Sequence, residues 1–369
     1  MDTAIENEAF LTRQLITYIG NKRSLLPFIG EALGKARRRL GREKIKIFDA
    51  FSGSGAAARF FKAYADLLIV NDLEAYSETI NRCYLANTEE LPLGELREIH
   101  QVLLRRFREE PLQKGFITDL YAPQDENNIR AGERVFYTPR NAMFIDTGRQ
   151  YIEEVDPGLR HFFLGPLLSE ASVHANTAGV FKGFYKDRHT GKGRFGGTNR
   201  NALSRIEGDI ALPFPVWSNF NCPVKIFRDD TNKLISSLEE VDLAYIDPPY
   251  NQHPYGSNYF MLNLILSYER PSLLSTVSGI PPDWNRSAYN KRPESLKAFR
   301  ELVENIRSKF LLVSFNSEGF IPHGEMVSIL EKTGKAEVFD TPYNTFRGSR
   351  NLRARQTHVR EYLYLVEKF

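Results

Sequence analysis

The sequence predicts a doubly wound α/β fold: a Rossmann-like, mostly parallel sheet interrupted by a long, largely helical insertion. Two observations carry this reading. A strand pattern, a glycine turn, a helix and a second apolar strand follow one another between Lys44 and Asp72, which makes a βαβ unit. Apolar strands then vanish for the whole middle of the chain and return near Val224.

Each element follows from its residues. Leu25, Leu26, Ile29, Leu33 and Leu40 recur near helical spacing, so Leu25 to Leu40 reads as a helix. Lys44 to Asp49 alternates like a strand and runs into Phe51-Ser-Gly-Ser-Gly55; Ala56 to Tyr64 reads as the next helix, and Leu67 to Val70 as a buried strand closed by Asn71-Asp72. From about Leu91 to Val224 come helical pieces (Glu95 to Arg108, Asn141 to Val155, His161 to Asn176) and a glycine-rich basic stretch, Lys182 to Arg200. Strand patterns resume at Val224–Phe227, Leu243–Asp247, Phe310–Ser314 and Glu361–Val366. The expected division is an N-terminal core piece over residues 1–90, an insertion over 91–223 and a C-terminal core piece over 224–369.

Of 369 residues, 42% are hydrophobic and 26% charged, enough apolar material for a sizeable core. No apolar run approaches membrane-spanning length, and Met1 to Ala9 has no apolar secretory segment. Two cysteines, Cys83 and Cys222, are too few for a disulfide framework or a cysteine-based zinc site, so no metal is expected and a reducing cytoplasm is the expected compartment. The net charge is only +3, but basic residues cluster. Lys182, Lys186, Arg188, Lys192, Arg194, Arg200 and Arg205 share a stretch with one acid, Asp187; Arg347, Arg350, Arg353, Arg355 and Arg360 form a second cluster. Two such stretches in a near-neutral chain point to a polyanion held along defined surfaces, or else to two solvated loops.

Asp247-Pro248-Pro249-Tyr250 directly follows an apolar strand. In open α/β sheets ligands bind beyond the carboxyl ends of the strands. Two prolines fix φ and remove two amide donors, which leaves carbonyl groups free to point inward. A carboxylate, a fixed carbonyl and a phenol ring suit a planar substrate bearing an NH2 group: Asp247 and the Pro248 carbonyl accept from the amine while Tyr250 stacks on the ring. In the glycine turn, Gly53 and Gly55 let the backbone approach a nucleotide-sized ligand, and Asp72 stands where a ribose-binding acid would be. Alone, that turn fits a nicotinamide dehydrogenase equally well; the Asp247–Tyr250 segment favours amine chemistry.

Thr17-Tyr-Ile-Gly-Asn-Lys22, Phe51-Ser-Gly-Ser-Gly55 and Asp247-Pro-Pro-Tyr250, in that order and with a long insertion between the last two, resemble the Dam-like, D12 class N6-adenine DNA methyltransferases. One departure is Asn21, where that family commonly has a second glycine. The resemblance implies a class I S-adenosylmethionine-dependent methyltransferase fold with S-adenosylmethionine as cofactor, double-stranded DNA as substrate and adenine N6 as the methylated atom, in a prokaryotic or phage-infected cell. It implies that Tyr18 and Lys22 contact the methionine end of the cofactor or line the target pocket. Asp49, Phe51, Gly53 and Gly55 would cradle the cofactor, Asp72 hold its ribose, and Asp230 or its neighbour Asp229 accept from its adenine amine. Asp247 would face both methyl donor and target amine, and the insertion would recognise the target. A separate cognate endonuclease and a monomeric or weakly dimeric state complete the expectation.

The basic stretch, with Phe184, Tyr185, Phe195, Asn199 and Asn201, would meet phosphates and base edges through a loop mobile until it meets DNA; Arg347 and Arg350 would grip backbone. Cytosine-C5 chemistry lacks its Pro-Cys nucleophile, since the order here is Cys222-Pro223. Cytosine-N4 methylation is the nearest rival, and a catalytically silent DNA-binding protein is a rival of another class.

Overall fold

The computed structural model describes residues 5–197, 200–344 and 358–369. Seven strands, β1 (Ile45–Asp49), β2 (Ala65–Asp72), β3 (Val224–Arg228), β4 (Val241–Ile246), β5 (Ser308–Asn316), β6 (Gly334–Asn344) and β7 (His358–Lys368), form one sheet in the order β3-β2-β1-β4-β5-β7-β6. The first five run parallel; β7 is antiparallel to both β5 and β6. The chain moves outward from β1 to β3 and then returns to β4 on the other side of β1. The carboxyl ends of β1 and β4 therefore lie side by side, with Asp49 level with Tyr245, at the position where doubly wound sheets open a crevice.

Strand alternation supplies two cores. Leu243, Tyr245, Leu312 and Leu365 face the helix Leu26–Leu40, whose buried Leu26, Ile29, Ala32, Leu33 and Ala36 keep helical spacing. That helix stops at Gly41, whose left-handed backbone (φ 64°) returns its amide to Arg37 and Arg38. Ala244, Ile246, Val313 and Val366 face the opposite way, against Phe299 and Leu302 of the helix Arg292–Asn305 and Ile329 and Leu330 of the helix His323–Thr333. A third core joins the helices Leu93–Glu109, Pro139–Glu153 and His161–Val173 to Tyr76, Ile80 and Tyr84 of the helix Ala75–Tyr84 and to Tyr259 through Ile265. The middle of the chain thus shares its apolar interior with segments on either side of it in sequence.

Expected and observed elements agree in kind along the core. β2 is longer than its apolar run, and β6 has no counterpart in the sequence reading. Lys335, Glu337, Asp340 and Pro342 break the apolar pattern of β6, as is common in a strand at the edge of a sheet. Both cysteines are free and buried, and among the described residues no helix is long and apolar enough to cross a membrane.

Candidate active site

The glycine turn after β1 is held by its neighbours. The Ser52 amide donates to the Asn71 carbonyl (2.9 Å) and the Gly55 amide to Ser52 (2.8 Å). Gly53 and Gly55 have φ of 54° and 73°; a Cβ at either would come within 2.8 Å of the Tyr18 ring or of Asn81 Oδ1. Glycine is required at both. At the end of β2, Asp72 accepts from the Gly53 amide (2.8 Å) and the Glu74 amide (2.9 Å), so it both fixes the turn and starts the chain toward the next helix. Burial pushes its carboxyl up to about 6, although these amides pull it down. Burial and the Asp72 charge push Glu74 to about 7; its carboxylate accepts from Asn263 (2.7 Å) and Asn285 (3.2 Å).

After β3, Asp230 accepts from the amides of Asn232 (3.0 Å) and Lys233 (3.3 Å), capping the short helix Thr231–Leu234. Asp229 accepts from the Asp230 amide at 2.7 Å. After β4, Asp247 Oδ1 lies 3.1 Å from Lys22 Nζ, and Glu361 Oε2 of β7 lies 3.7 Å from the same nitrogen. Burial pushes Asp247 up to about 6, with Lys22 opposing and Glu361 adding to the rise. Burial works against the Lys22 ammonium, yet Asp247 and Glu361 hold it well above the usual lysine range.

The N-terminal segment reaches this point through aromatic packing. Tyr18 stacks against both Tyr255 (4.9 Å) and Tyr259 (4.7 Å), which also stack on each other (5.9 Å); the Ile19 amide donates to the Tyr259 hydroxyl (2.7 Å), and Tyr255 donates to the Ile19 carbonyl (3.2 Å). Asn21, the departure from the family pattern, accepts from the Arg23 amide (2.8 Å) and so turns the chain into the helical segment that follows.

These strand ends border one cavity that opens to solvent. Tyr18, Lys22, Phe51, Gly53, Asp72, Asp230, Asp247 and Pro249 line it, together with Asp229. Asp49, Gly55, Pro248 and Tyr250 are not on its wall. Asp49 is fully buried beneath it, its carboxyl pushed well above the ordinary range by burial and by the Asp247 charge. Tyr250 packs its edge on Phe315 (5.5 Å), lies 5.5 Å from Lys22 Nζ, and accepts on its carbonyl from Phe320 (2.9 Å).

The sequence reading missed Glu74, Tyr255, Asn285, Ser287, Tyr289 and Asn290 on the wall, and Glu361 behind it. Tyr255 and Tyr259 carried a signal, two rings four residues apart just after the Asp-Pro-Pro-Tyr turn. Residues 285–290 carried none: Tyr289 reaches Asn232 (2.8 Å) and packs on Phe51 (5.1 Å), while Asn290 donates to the Asn251 carbonyl (2.8 Å).

The basic stretch, expected as a loop mobile until it meets DNA, is drawn together by hydrogen bonds into a hairpin. Arg194 donates its amide to Tyr185 (3.0 Å), Lys186 bridges Gly193, and the Asp187 amide donates to Lys192 (2.8 Å). Asp187 also accepts from the His189 (3.0 Å) and Thr190 (2.8 Å) amides at the tip. Buried Asn176 pins the base, donating to the carbonyls of Val135 (2.7 Å) and Arg194 (2.9 Å) and accepting from Gly196 (3.1 Å). Lys182, Arg188, Lys192 and Arg200 are exposed, Lys186 and Arg194 half-buried. Asn199, Arg347, Arg350, Arg353 and Arg355 lie outside the described residues; Arg360 pairs with Asp340.

A family model described as D12 class N6 adenine-specific DNA methyltransferase matches residues 18–314. The chain is 30% identical to Type II methyltransferase M.NlaIII of Neisseria lactamica, over 96% of this chain and 99% of that protein. It is 29% identical to Type II methyltransferase M.CviAII of Paramecium bursaria Chlorella virus 1, over 95% and 98%. Type II methyltransferase M.FokI of Planomicrobium okeanokoites is 28% identical over 95% of this chain but only 52% of its own length.

Proposed function

The chain belongs to the D12 class of N6 adenine-specific DNA methyltransferases, and from that premise we propose how its cavity performs the reaction. The enzyme is a site-specific DNA adenine methyltransferase. The observation that carries the assignment of roles is the shared cavity: the glycine turn, the acids after β2 and β3, and Asp247 all border one space.

The residues fit S-adenosylmethionine. Gly53 offers backbone that a side chain would block, Asp72 stands ready to accept from ribose hydroxyls, and Asp229 or Asp230 from an adenine amine. Asp230 already spends one oxygen, Oδ1, on two backbone amides, so its other oxygen is the one to meet the ligand. Phe51, edge-on to Tyr289, presents an apolar wall to a purine ring. When bound, this group supplies an electrophilic methyl on a sulfonium centre.

The base amine must leave the duplex stack to enter such a cavity. Its lone pair is conjugated with the purine, which makes it a poor nucleophile. Asp247, on the cavity wall, would accept from one N–H bond and the Pro248 carbonyl, off the wall in the free protein, from the other, favouring a more tetrahedral nitrogen whose lone pair points at the methyl. As N6 gains the methyl it loses one proton. Alkylation through the lone pair leaves N6 cationic and strongly acidic, and Asp247, titrating near 6, is base enough to take its proton. Tyr250, edge-on to Phe315 in the free protein, would present its face to the flipped purine.

DNA would be gripped by the 185–194 hairpin, with Lys182, Lys186, Arg188, Lys192, Arg194 and Arg200 toward phosphates and base edges. Residues 91–223 would act as the recognition lobe, and Arg347 and Arg350 would add backbone contacts. By analogy with the Type II relatives, we assign the enzyme a protective role beside a separate endonuclease. The test is expression in a host lacking adenine methylation, followed by sequencing of its DNA for modified bases. N6-methyladenine at one short motif, absent with Asp247→Ala, supports the reading; N4-methylcytosine, or methylation retained by Asp247→Ala, overturns it.

A further inference from the structure

Resting on that catalytic reading, we propose that Glu361 is a positioning residue for the methyl transfer: by sharing the Lys22 ammonium it keeps that cation from pairing with Asp247 alone, so that the Asp247 carboxylate keeps acceptor strength for the base amine. Glu361 lies on β7, beyond the residues 18–314 matched by the family model, and faces the catalytic turn across the sheet.

Lys22, Asp247 and Glu361 have side-chain exposures of 4%, 15% and 3%, so the three charges meet with almost no water to screen them. One ammonium is shared between two carboxylates, at 3.1 Å from Asp247 and 3.7 Å from Glu361. A lysine committed to Asp247 alone would occupy the lone pairs that the amine needs and would lower that carboxylate's basicity. A second carboxylate on the far side of the ammonium offsets this. The cost is two carboxylates held on one buried cation, an arrangement with no evident gain in stability over a simple pair. That cost makes sense if it serves the reaction.

The other groups around the triad leave this balance intact. Asp49 on β1 is fully buried and pushed toward its neutral form; Tyr245 on β4 and Tyr255 beyond it are pushed well above 10, so they are uncharged at neutral pH. Lys22 Nζ lies over the Tyr250 ring, 5.5 Å from its centroid. Burial is the main cause of the raised Asp247 titration, and among the described residues Lys22 and Glu361 are the charges that adjust it, the first downward and the second upward.

The test compares the wild-type enzyme with Glu361→Gln and Glu361→Asp, all at saturating S-adenosylmethionine and duplex DNA. Single-turnover rates are followed against pH, with thermal melting and calorimetric donor binding as separate readouts. For Glu361→Gln, the expected result is a plateau rate lowered roughly tenfold or more, with donor binding held within about threefold. The acidic limb of the profile moves to lower pH, because the repulsion that raises Asp247 is gone. Glu361→Asp keeps the charge, so its limb stays near that of the wild type and its rate recovers above that of Glu361→Gln. A Glu361→Gln enzyme with wild-type rate and wild-type acidic limb overturns the proposal, as does equal loss in both variants accompanied only by a lower melting temperature. If Glu361→Gln does not fold, the Glu361→Asp profile decides: an acidic limb near that of the wild type supports the proposal, and a displaced limb in a folded enzyme overturns it. Asp247→Ala, run alongside, separates the two levels: its retained activity would sink the catalytic reading itself, whereas its inactivity with an indifferent Glu361 sinks only this inference.

Discussion

The catalytic end of the sheet and the basic hairpin solve the same problem, holding polar side chains in fixed places, by opposite means. At the sheet, register does the work. Parallel pairing brings the ends of β1, β2, β3 and β4 to one edge, and apolar packing on both faces locks them there. Asp49 and Glu74 are consequently buried and Asp72 and Asp247 mostly so, while Asp229 after β3 stays exposed; Asp72, Glu74 and Asp247 titrate near 6 or 7. In the hairpin no strand ladder extends beyond one bridge. Its shape rests on two polar hubs, Asn176 at the base and Asp187 at the tip; Arg188 and Lys192 face water, while Lys186 and Arg194 are half-buried. A buried, charge-balanced site suits chemistry on one atom. An exposed, basic hairpin suits a polyanion whose contacts are many and individually weak.

Substitutions can break this contrast. The largest effect is expected for Lys22→Met, which strands Asp247 and Glu361 as unpaired buried carboxylates. Removing one partner of a buried ion pair costs about 3–5 kcal/mol, so urea unfolding should show a loss of that order together with loss of methylation. A loss no larger than for an exposed lysine would show that the triad is not electrostatically closed. Next comes joint neutralisation of Lys186, Arg188, Lys192 and Arg194 to glutamine. Melting should change little while DNA affinity falls, and the salt slope should flatten by roughly 0.9 for each phosphate contact removed. An unchanged slope would return the hairpin to a merely solvated turn.

Asn176→Ala should fall between the two regions in character. Three hydrogen bonds at the hairpin base are lost and buried partners left unpaired, a cost of about 1–3 kcal/mol. DNA binding should weaken with it, while donor binding at the sheet stays as in the wild type. Equal weakening of both would show that the two regions are coupled. The smallest effect is the pH dependence of the wild type. The folded Asp247 carboxyl is raised to about 6, so the acceptor form is present above that value and lost below it. The single-turnover rate should fall on the acid side with a midpoint about 6, and a flat profile through that range would remove the carboxylate from the rate.

What the sequence disclosed follows the same division. Gly53, Gly55, Asp72 and Asp247 were legible because a parallel sheet converts strand ends into neighbours whatever separates them in sequence. Lys22 and its partner Asp247 were legible as site residues, but the second acidic partner, Glu361, depends on β7 lying next to β5, which no local pattern states. The 285–290 wall was silent for the same reason, being placed by single contacts such as Tyr289 to Asn232. The basic stretch was readable by composition, yet its glycines suggested a mobile loop. Asn176, ten residues before Lys186, gave no hint that its amide would close that loop into a hairpin. Packing periodicity is written in sequence; polar hubs are not.

The most direct measurement is the single-turnover rate of Asp247→Asn with saturating donor and a duplex carrying the target site. This change keeps the shape of the side chain, removes its charge and turns one acceptor into a donor. The expected result is methyl transfer slowed roughly a thousandfold or more, with donor and DNA affinities near wild type. Transfer within about tenfold of the wild-type rate would contradict the central role of that carboxylate.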